Sequence, residues 1–153
     1  MRDSQRARVY AAEDAWALRL DAARRGAPRA DVAGSSVLLP KELLFGTLEA
    51  AQDYADRALP TYPRVTIRTR KGPRQAHWEV PGVIALPVPE HGRAWALRET
   101  VLLHELAHHI AFHSHQATDH GATYRACMLE LVGQQLGPEA QLALRVSYGE
   151  HGV

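Results

Sequence analysis

A histidine-rich stretch of the chain has the residue types and the spacing of a metal site. Six of the nine histidines lie within residues 101–120, and at the centre is the HExxH pattern His104-Glu-Leu-Ala-His108. Residues four apart share one face of a helix, so these two imidazoles can hold one ion. Glu105 is turned about 100° from His104 and can hydrogen-bond a water on the metal without being a ligand. The pattern predicts a zinc hydrolase with Glu105 as general base.

The residues around the motif are apolar and predict a helix with a buried face. They are Val101, Leu102, Leu103, Leu106, Ala107 and Ile110. A polar group on a buried face costs free energy unless a partner satisfies it. This setting favours a bound divalent metal over accidental histidines.

A catalytic zinc usually has three protein ligands and one open position, so the two histidines need a third. His120 is the first candidate, because it lies beyond the helix and because Gly121 permits a sharp backbone change that would return it to the ion. Glu130 on the following helix is the rival, since a carboxylate can also bind zinc. Asp119 and the nearer histidines remain open.

The other histidines of the stretch have no role assigned by the pattern. His109 points away from the two ligands, and His113 and His115 lie too near them for an uninterrupted helix to bring either onto the same ion. An oxyanion formed during hydrolysis often needs a second electrophile. Tyr124, His113 and His115 are candidates by proximity in sequence, although core packing is the favoured role for Tyr124.

Composition predicts one soluble globular domain over residues 1–153. The chain is 46% hydrophobic and 23% charged, and its net charge of +1 gives no reason to expect nucleic acid or a membrane surface as partner. Cys127 is the only cysteine, so no intrachain disulfide can form, and a small buried residue is expected there. The N-terminus has no apolar signal segment and no stretch approaches about 18 apolar residues, which predicts a cytoplasmic protein.

The remaining pattern predicts an α+β fold in which helices pack on a small sheet. Helices are expected at about 3–25, 40–59, 94–112 or 113, 122–136 and 139–147, and strands at about 37–39, 64–70, 76–80 and 83–86. Pro40 suits the first turn of the second helix, and a turn is expected at 71–73. Pro87 and Pro89 disfavour a central position for the last strand, which is therefore expected at an edge of the sheet. The free backbone groups of that edge could pair with an extended peptide, or the prolines could simply prevent further pairing.

The helix expected at 122–136 has an apolar line of its own. Ala122, Ala126, Leu129, Gly133 and Leu136 are expected on its buried face.

Two segments carry a resemblance to known metallopeptidases. The stretch 101–110 resembles the extended zincin signature, and His120-Gly-x-x-Tyr124 resembles the downstream His-Gly-x-x-aromatic element of short zincins such as the SprT-like metallopeptidases. The chain is also similar to a family of small single-domain metallohydrolases of actinobacterial type. Its opening residues and the segments 34–40 and 95–99 contribute to this similarity. The resemblance implies a zincin-like fold, one zinc ion and His120 as third ligand, and it brings no known substrate. His109 stands where zincins more often have an apolar residue.

Two classes of function fit these residues. The first is a zinc metallopeptidase or amidohydrolase that cleaves an amide bond in a peptide or protein. The second is a non-catalytic module in which zinc clamps two helices and a partner binds. A purely structural site has no use for a general base, so Glu105 favours the enzyme. A DNA-associated protease would follow from the SprT-like resemblance, but no basic tail or cysteine cluster supports it.

Overall fold

The computed structural model describes residues 3–70, 75–87 and 97–153. Within them the helices are α1 (Arg6–Arg24), α2 (Leu48–Ala58), α3 (Glu99–His115), α4 (Ala122–Leu136) and α5 (Pro138–Glu150). The strands are β1 (Arg29–Val32), β2 (Ser35–Leu38), β3 (Leu44–Phe45), β4 (Thr66–Arg70), β5 (His77–Glu79), β6 (Val83–Pro87) and β7 (Leu97–Arg98). The α+β class is confirmed. The turn expected at 71–73 and the helix start expected at 94–96 lie outside the described residues.

The chain divides into two compact units, one of residues 1–42 with 118–153 and the other of residues 43–117. The expected single domain over 1–153 stays a prediction. Among the described residues, no helix has both the length and the apolar character needed to cross a bilayer.

In the first unit, α5 packs against both α1 and α4. The predicted apolar line of α1 is confirmed, since Val9, Trp16 and Leu20 are all buried. The Trp16 indole Nε1 donates to the carbonyl of Ala140 on α5 at 3.0 Å, which satisfies its one polar atom in the core. Strands β1 and β2 form an antiparallel hairpin beside these helices.

The face of α4 that packs into this unit differs from the expected one. The buried residues are Tyr124, Met128, Leu131 and Val132, whereas Ala122 and Ala126 of the predicted apolar line are exposed. The larger side chains occupy the core, because burying them removes more apolar area from water than burying alanine or glycine does. Glu130 is consequently on the exposed side of the helix.

In the second unit, α2 packs on strand β4. The helix begins at Leu48 rather than at 40, because Thr47 caps it by accepting from the N–H of Ala50 at 3.1 Å. The residues expected in its first turns instead include β3, which pairs with β7. Pro40 therefore has no helical role.

The three-stranded sheet of this unit has the order β4-β6-β5, with β6 parallel to β4 and antiparallel to β5. The expectation of an edge position for the strand at 83–86 was wrong. Pro87 is the last residue of β6, so its missing N–H affects only the end of the ladder. An extended peptide consequently has no open edge on this strand.

The first residue of α3 anchors the metal-motif helix within the second unit. Glu99 is 2% exposed, and its carboxylate accepts from the Leu43 N–H at 2.8 Å and from the Tyr54 hydroxyl. The Glu99 N–H donates to the Leu43 carbonyl at 3.0 Å. Burial, followed by the carboxylate of Glu99, raises the pKa of Tyr54, so the phenol stays protonated and keeps donating.

Candidate metal centre

Helix α3 carries the HExxH residues on a buried surface. His104, Glu105 and His108 are 6%, 4% and 8% exposed. The imidazole rings of His104 and His108 are 5.0 Å apart between centroids and inclined at 72°. The i, i+4 spacing therefore places both rings on one face of the helix, as expected.

Helix α3 ends at a residue that the sequence did not mark. Gln116 has the left-handed conformation, with φ of 55°, and ends the helix. Its N–H donates to the Phe112 carbonyl at 2.7 Å, and the Ala117 N–H donates to the Ala111 carbonyl at 3.2 Å. These bonds satisfy carbonyls that the end of a helix leaves without partners.

Gly121 does not have an unusual backbone conformation. Its φ is −72°, which any residue can adopt. A Cβ atom at this position would lie 3.1 Å from Oδ1 of Asp119, which accepts from the Gly121 N–H at 3.1 Å. Asp119 is exposed and used locally.

His104, His108 and His120 come together as one group. Each offers a ring nitrogen, these atoms lie within 4.8 Å of one another, and all three residues are buried. Four ligands around zinc at 2.0–2.1 Å stand about 3.3–3.4 Å apart at tetrahedral angles. The group could therefore hold one ion once its ligand atoms draw in to that spacing. Among the described residues, neither Asp119 nor Glu130 belongs to it.

The side chain of His120 has defined neighbours within the first unit. Oδ2 of Asp3 accepts from Nδ1 of His120 at 2.6 Å and from its backbone N–H at 3.2 Å. The rings of Tyr10 and Tyr124 lie 5.2 and 5.0 Å from the imidazole, measured between centroids. Partial burial raises the pKa of Asp3, but the hydrogen bonds from the side chain and the backbone N–H of His120 outweigh burial and hold the pKa below its usual value.

Tyr124 has a core position, which is the favoured expectation for it. It is fully buried, and its hydroxyl donates to Glu13, whose Oε2 lies at 3.0 Å. The Tyr148 hydroxyl also donates to Oε2 of Glu13, at 2.9 Å. Burial, with the negative charge of Glu13 next, raises the pKa of Tyr148, so the Tyr148 phenol stays protonated and keeps donating. The sequence placed Glu13 on the buried line of α1 without indicating this role.

Two of the unassigned histidines tether α3 within the second unit. His109 is fully buried. Its Nε2 donates to the Pro63 carbonyl at 2.7 Å, and its Nδ1 accepts from the Trp78 indole at 3.1 Å. Burial lowers the pKa of His109, which keeps the ring neutral and able to accept. His113 donates through Nε2 to the Pro81 carbonyl at 2.6 Å.

Replacing His109 by alanine is expected to destabilise the metal-free fold by about 2–3 kcal/mol, because it removes two hydrogen bonds and leaves a cavity. Zinc affinity should change by less than about threefold, since His109 contacts Pro63 and Trp78 and is not in the ligand group. Urea unfolding and zinc titration measure the two effects. His115→Ala is the matched control, because His115 is exposed on the same helix. Equal stability of the two variants would contradict the tethering role.

An open cavity lies beside the third histidine. Its volume is about 510 Å³, and its described lining is Asp3, Ser4, Arg6, Ala7 and Tyr10. Asp3 and Tyr10 contact His120 directly, and the guanidinium carbon of Arg6 lies 5.6 Å from the centre of the Tyr10 ring. Ligand pockets commonly have about 300–1,000 Å³. The cavity is therefore large enough for part of a peptide next to His120.

No protein-family model, no curated protein and no solved structure matches this chain.

Proposed function

We propose that this chain is a zinc metallopeptidase in which His104, His108 and His120 hold one zinc ion and Glu105 is the general base. The observation that carries the proposal is the group of three buried imidazoles, with ligand atoms within 4.8 Å of one another. The buried carboxylate of Glu105 follows the first of them on α3. Zinc hydrolases use this combination of residues.

The donor set fits a catalytic zinc ion. Three imidazole nitrogens leave the fourth position of a tetrahedral ion for water or substrate. Three neutral ligands also leave the full charge of the ion available to act on that position. Imidazole suits copper, nickel and iron as well, so the choice of zinc rests on the HExxH pattern.

Zinc bound by these residues would lower the pKa of a water to about 7 and polarise a substrate carbonyl. Glu105 takes one proton from the attacking water as the water oxygen bonds to the carbonyl carbon. It then gives that proton to the amide nitrogen as the carbon–nitrogen bond breaks, so its carboxylate is regenerated. His104, His108 and His120 would hold the ion throughout and take no part in the proton transfer.

The cavity beside His120 supports a peptide as substrate. It lies on the surface formed by the start of α1 and includes polar groups of Asp3 and Ser4 as well as the Tyr10 ring. Convergent polar groups in a largely apolar opening are typical of substrate sites.

The proposed activity can be tested with the zinc-loaded chain and a diverse mixture of peptides in water enriched in ¹⁸O. Mass spectrometry should detect new C-termini that carry ¹⁸O, and these should disappear after chelation and return when zinc is restored. Binding of zinc without any zinc-dependent cleavage would contradict the peptidase and favour the non-catalytic module.

A further inference from the structure

We infer that Asp3 is a positioning residue that fixes the tautomer and the orientation of His120 as third zinc ligand. This inference rests on the proposed zinc site. Asp3 belongs to the short segment from Asp3 to Gln5 that precedes α1. It lies 117 positions before His120 in the sequence.

His120 depends on such a contact more than the other two ligands do. His104 and His108 belong to α3, where the helix itself sets their spacing and direction. His120 lies in the connection between α3 and α4, so no regular element sets its side-chain direction. A ligand in a connection must be oriented by side chains from elsewhere.

The Asp3 carboxylate determines which nitrogen of His120 can face a metal ion. Oδ2 of Asp3 is 2.6 Å from Nδ1 of the ring, and a carboxylate oxygen accepts at this distance, so Nδ1 carries the proton. The lone pair of the neutral ring is then on Nε2. Metal-binding histidines typically donate their other N–H to a carboxylate or carbonyl in this way, which also raises their basicity as ligands.

The same segment also holds the backbone of His120. Oδ2 of Asp3 accepts from the His120 backbone N–H at 3.2 Å. Nη1 of Arg125 donates to the His120 carbonyl at 3.0 Å and also donates to the side-chain oxygen of Gln5. Both polar groups of the His120 main chain are thus bonded within a network that includes Asp3, Gln5 and Arg125. Ring and backbone are restrained together, which is what a fixed ligand position requires.

The test measures zinc dissociation constants by competition with a chromophoric chelator. Asp3→Ala should bind zinc about 10–100-fold more weakly than wild type, the usual effect of removing an outer-shell partner of a ligand. Asp3→Asn should lose less, because its amide oxygen can still accept from Nδ1 of His120. Asp14→Ala is the matched control, since Asp14 is an exposed acidic residue of α1 and its loss changes the charge equally.

A second readout separates positioning from a general loss of structure. Long-range ¹H–¹⁵N spectra of the metal-free chain report the imidazole tautomers, and His120 should be protonated at Nδ1 in wild type and Asp3→Asn but mixed in Asp3→Ala. Equal zinc affinity of Asp3→Ala and Asp14→Ala would overturn the inference and leave the proposed function intact. Absence of zinc binding by the wild-type chain would overturn both.

Discussion

Replacing His120 by alanine is expected to weaken zinc binding by about 10²–10³-fold or more, while Glu130→Ala leaves the affinity unchanged. Structural sites in small peptides bind zinc with a free energy of about 10–16 kcal/mol at neutral pH. Because only a few ligands share this free energy, the loss of one of them costs several kcal/mol. Each 1.4 kcal/mol is a factor of ten in the dissociation constant. The loss of zinc affinity should also exceed that of Asp3→Ala, because His120→Ala removes a ligand, whereas Asp3→Ala only removes the residue that orients this ligand.

The comparison of these two variants follows from where the structure places the residues. His120 is 6% exposed and belongs to the group of three, whereas Glu130 lies on the exposed side of α4. Chelator competition and metal content after dialysis measure both variants. If Glu130→Ala lost zinc and His120→Ala kept it, the third ligand would be the carboxylate, and the assignment of His120 would be wrong.

Replacing Glu105 by glutamine is expected to lower the catalytic rate constant by about 10²–10⁴-fold, the usual contribution of a positioned general base. Glutamine has nearly the shape of glutamate but cannot take a proton from water at neutral pH. Zinc content should stay at that of the wild-type chain, because Glu105 is not one of the three ligands. The rate constant is measured on a peptide found in the cleavage screen, alongside the zinc content of each preparation.

The activity and the zinc content of Glu105→Gln together distinguish three outcomes. Lower activity with full zinc content fits a general base. Unchanged activity would exclude that role, because the proton would then move by another route. Loss of zinc would mean that Glu105 maintains the site itself, and the fall in activity would then not identify a general base.

The features that could be predicted from sequence are those set by local periodicity. The HExxH spacing places His104 and His108 on one face of α3 because 3.6 residues make a turn. The apolar line of α1 predicts its buried residues for the same reason. His120 lies in the buried group of three histidines, and its role as a ligand stays a prediction. The backbone change expected at Gly121 was wrong, since Gln116 and not Gly121 has the left-handed conformation.

The features that were missed depend on partners distant in sequence. Strand β3 exists because Leu44 pairs with Arg98 and Phe45 pairs with Leu97. A strand of two residues is too short to show a periodic pattern in the sequence. The central position of β6 follows from pairing with both β4 and β5, which outweighs the effect of its terminal proline. The contact of Asp3 with His120 joins residues 117 positions apart, and an isolated aspartate near a chain start gives no signal of it.

X-ray absorption at the zinc K-edge of the purified wild-type chain, loaded with one equivalent of zinc, tests the set of three histidine ligands directly. We expect three imidazole nitrogens and one further light atom at about 2.0–2.1 Å, together with the scattering from the more distant ring atoms of three imidazoles. A sulfur neighbour at about 2.3 Å, which Cys127 would supply, would contradict the proposed ligand set. A shell dominated by oxygen with fewer than three imidazoles would contradict it equally.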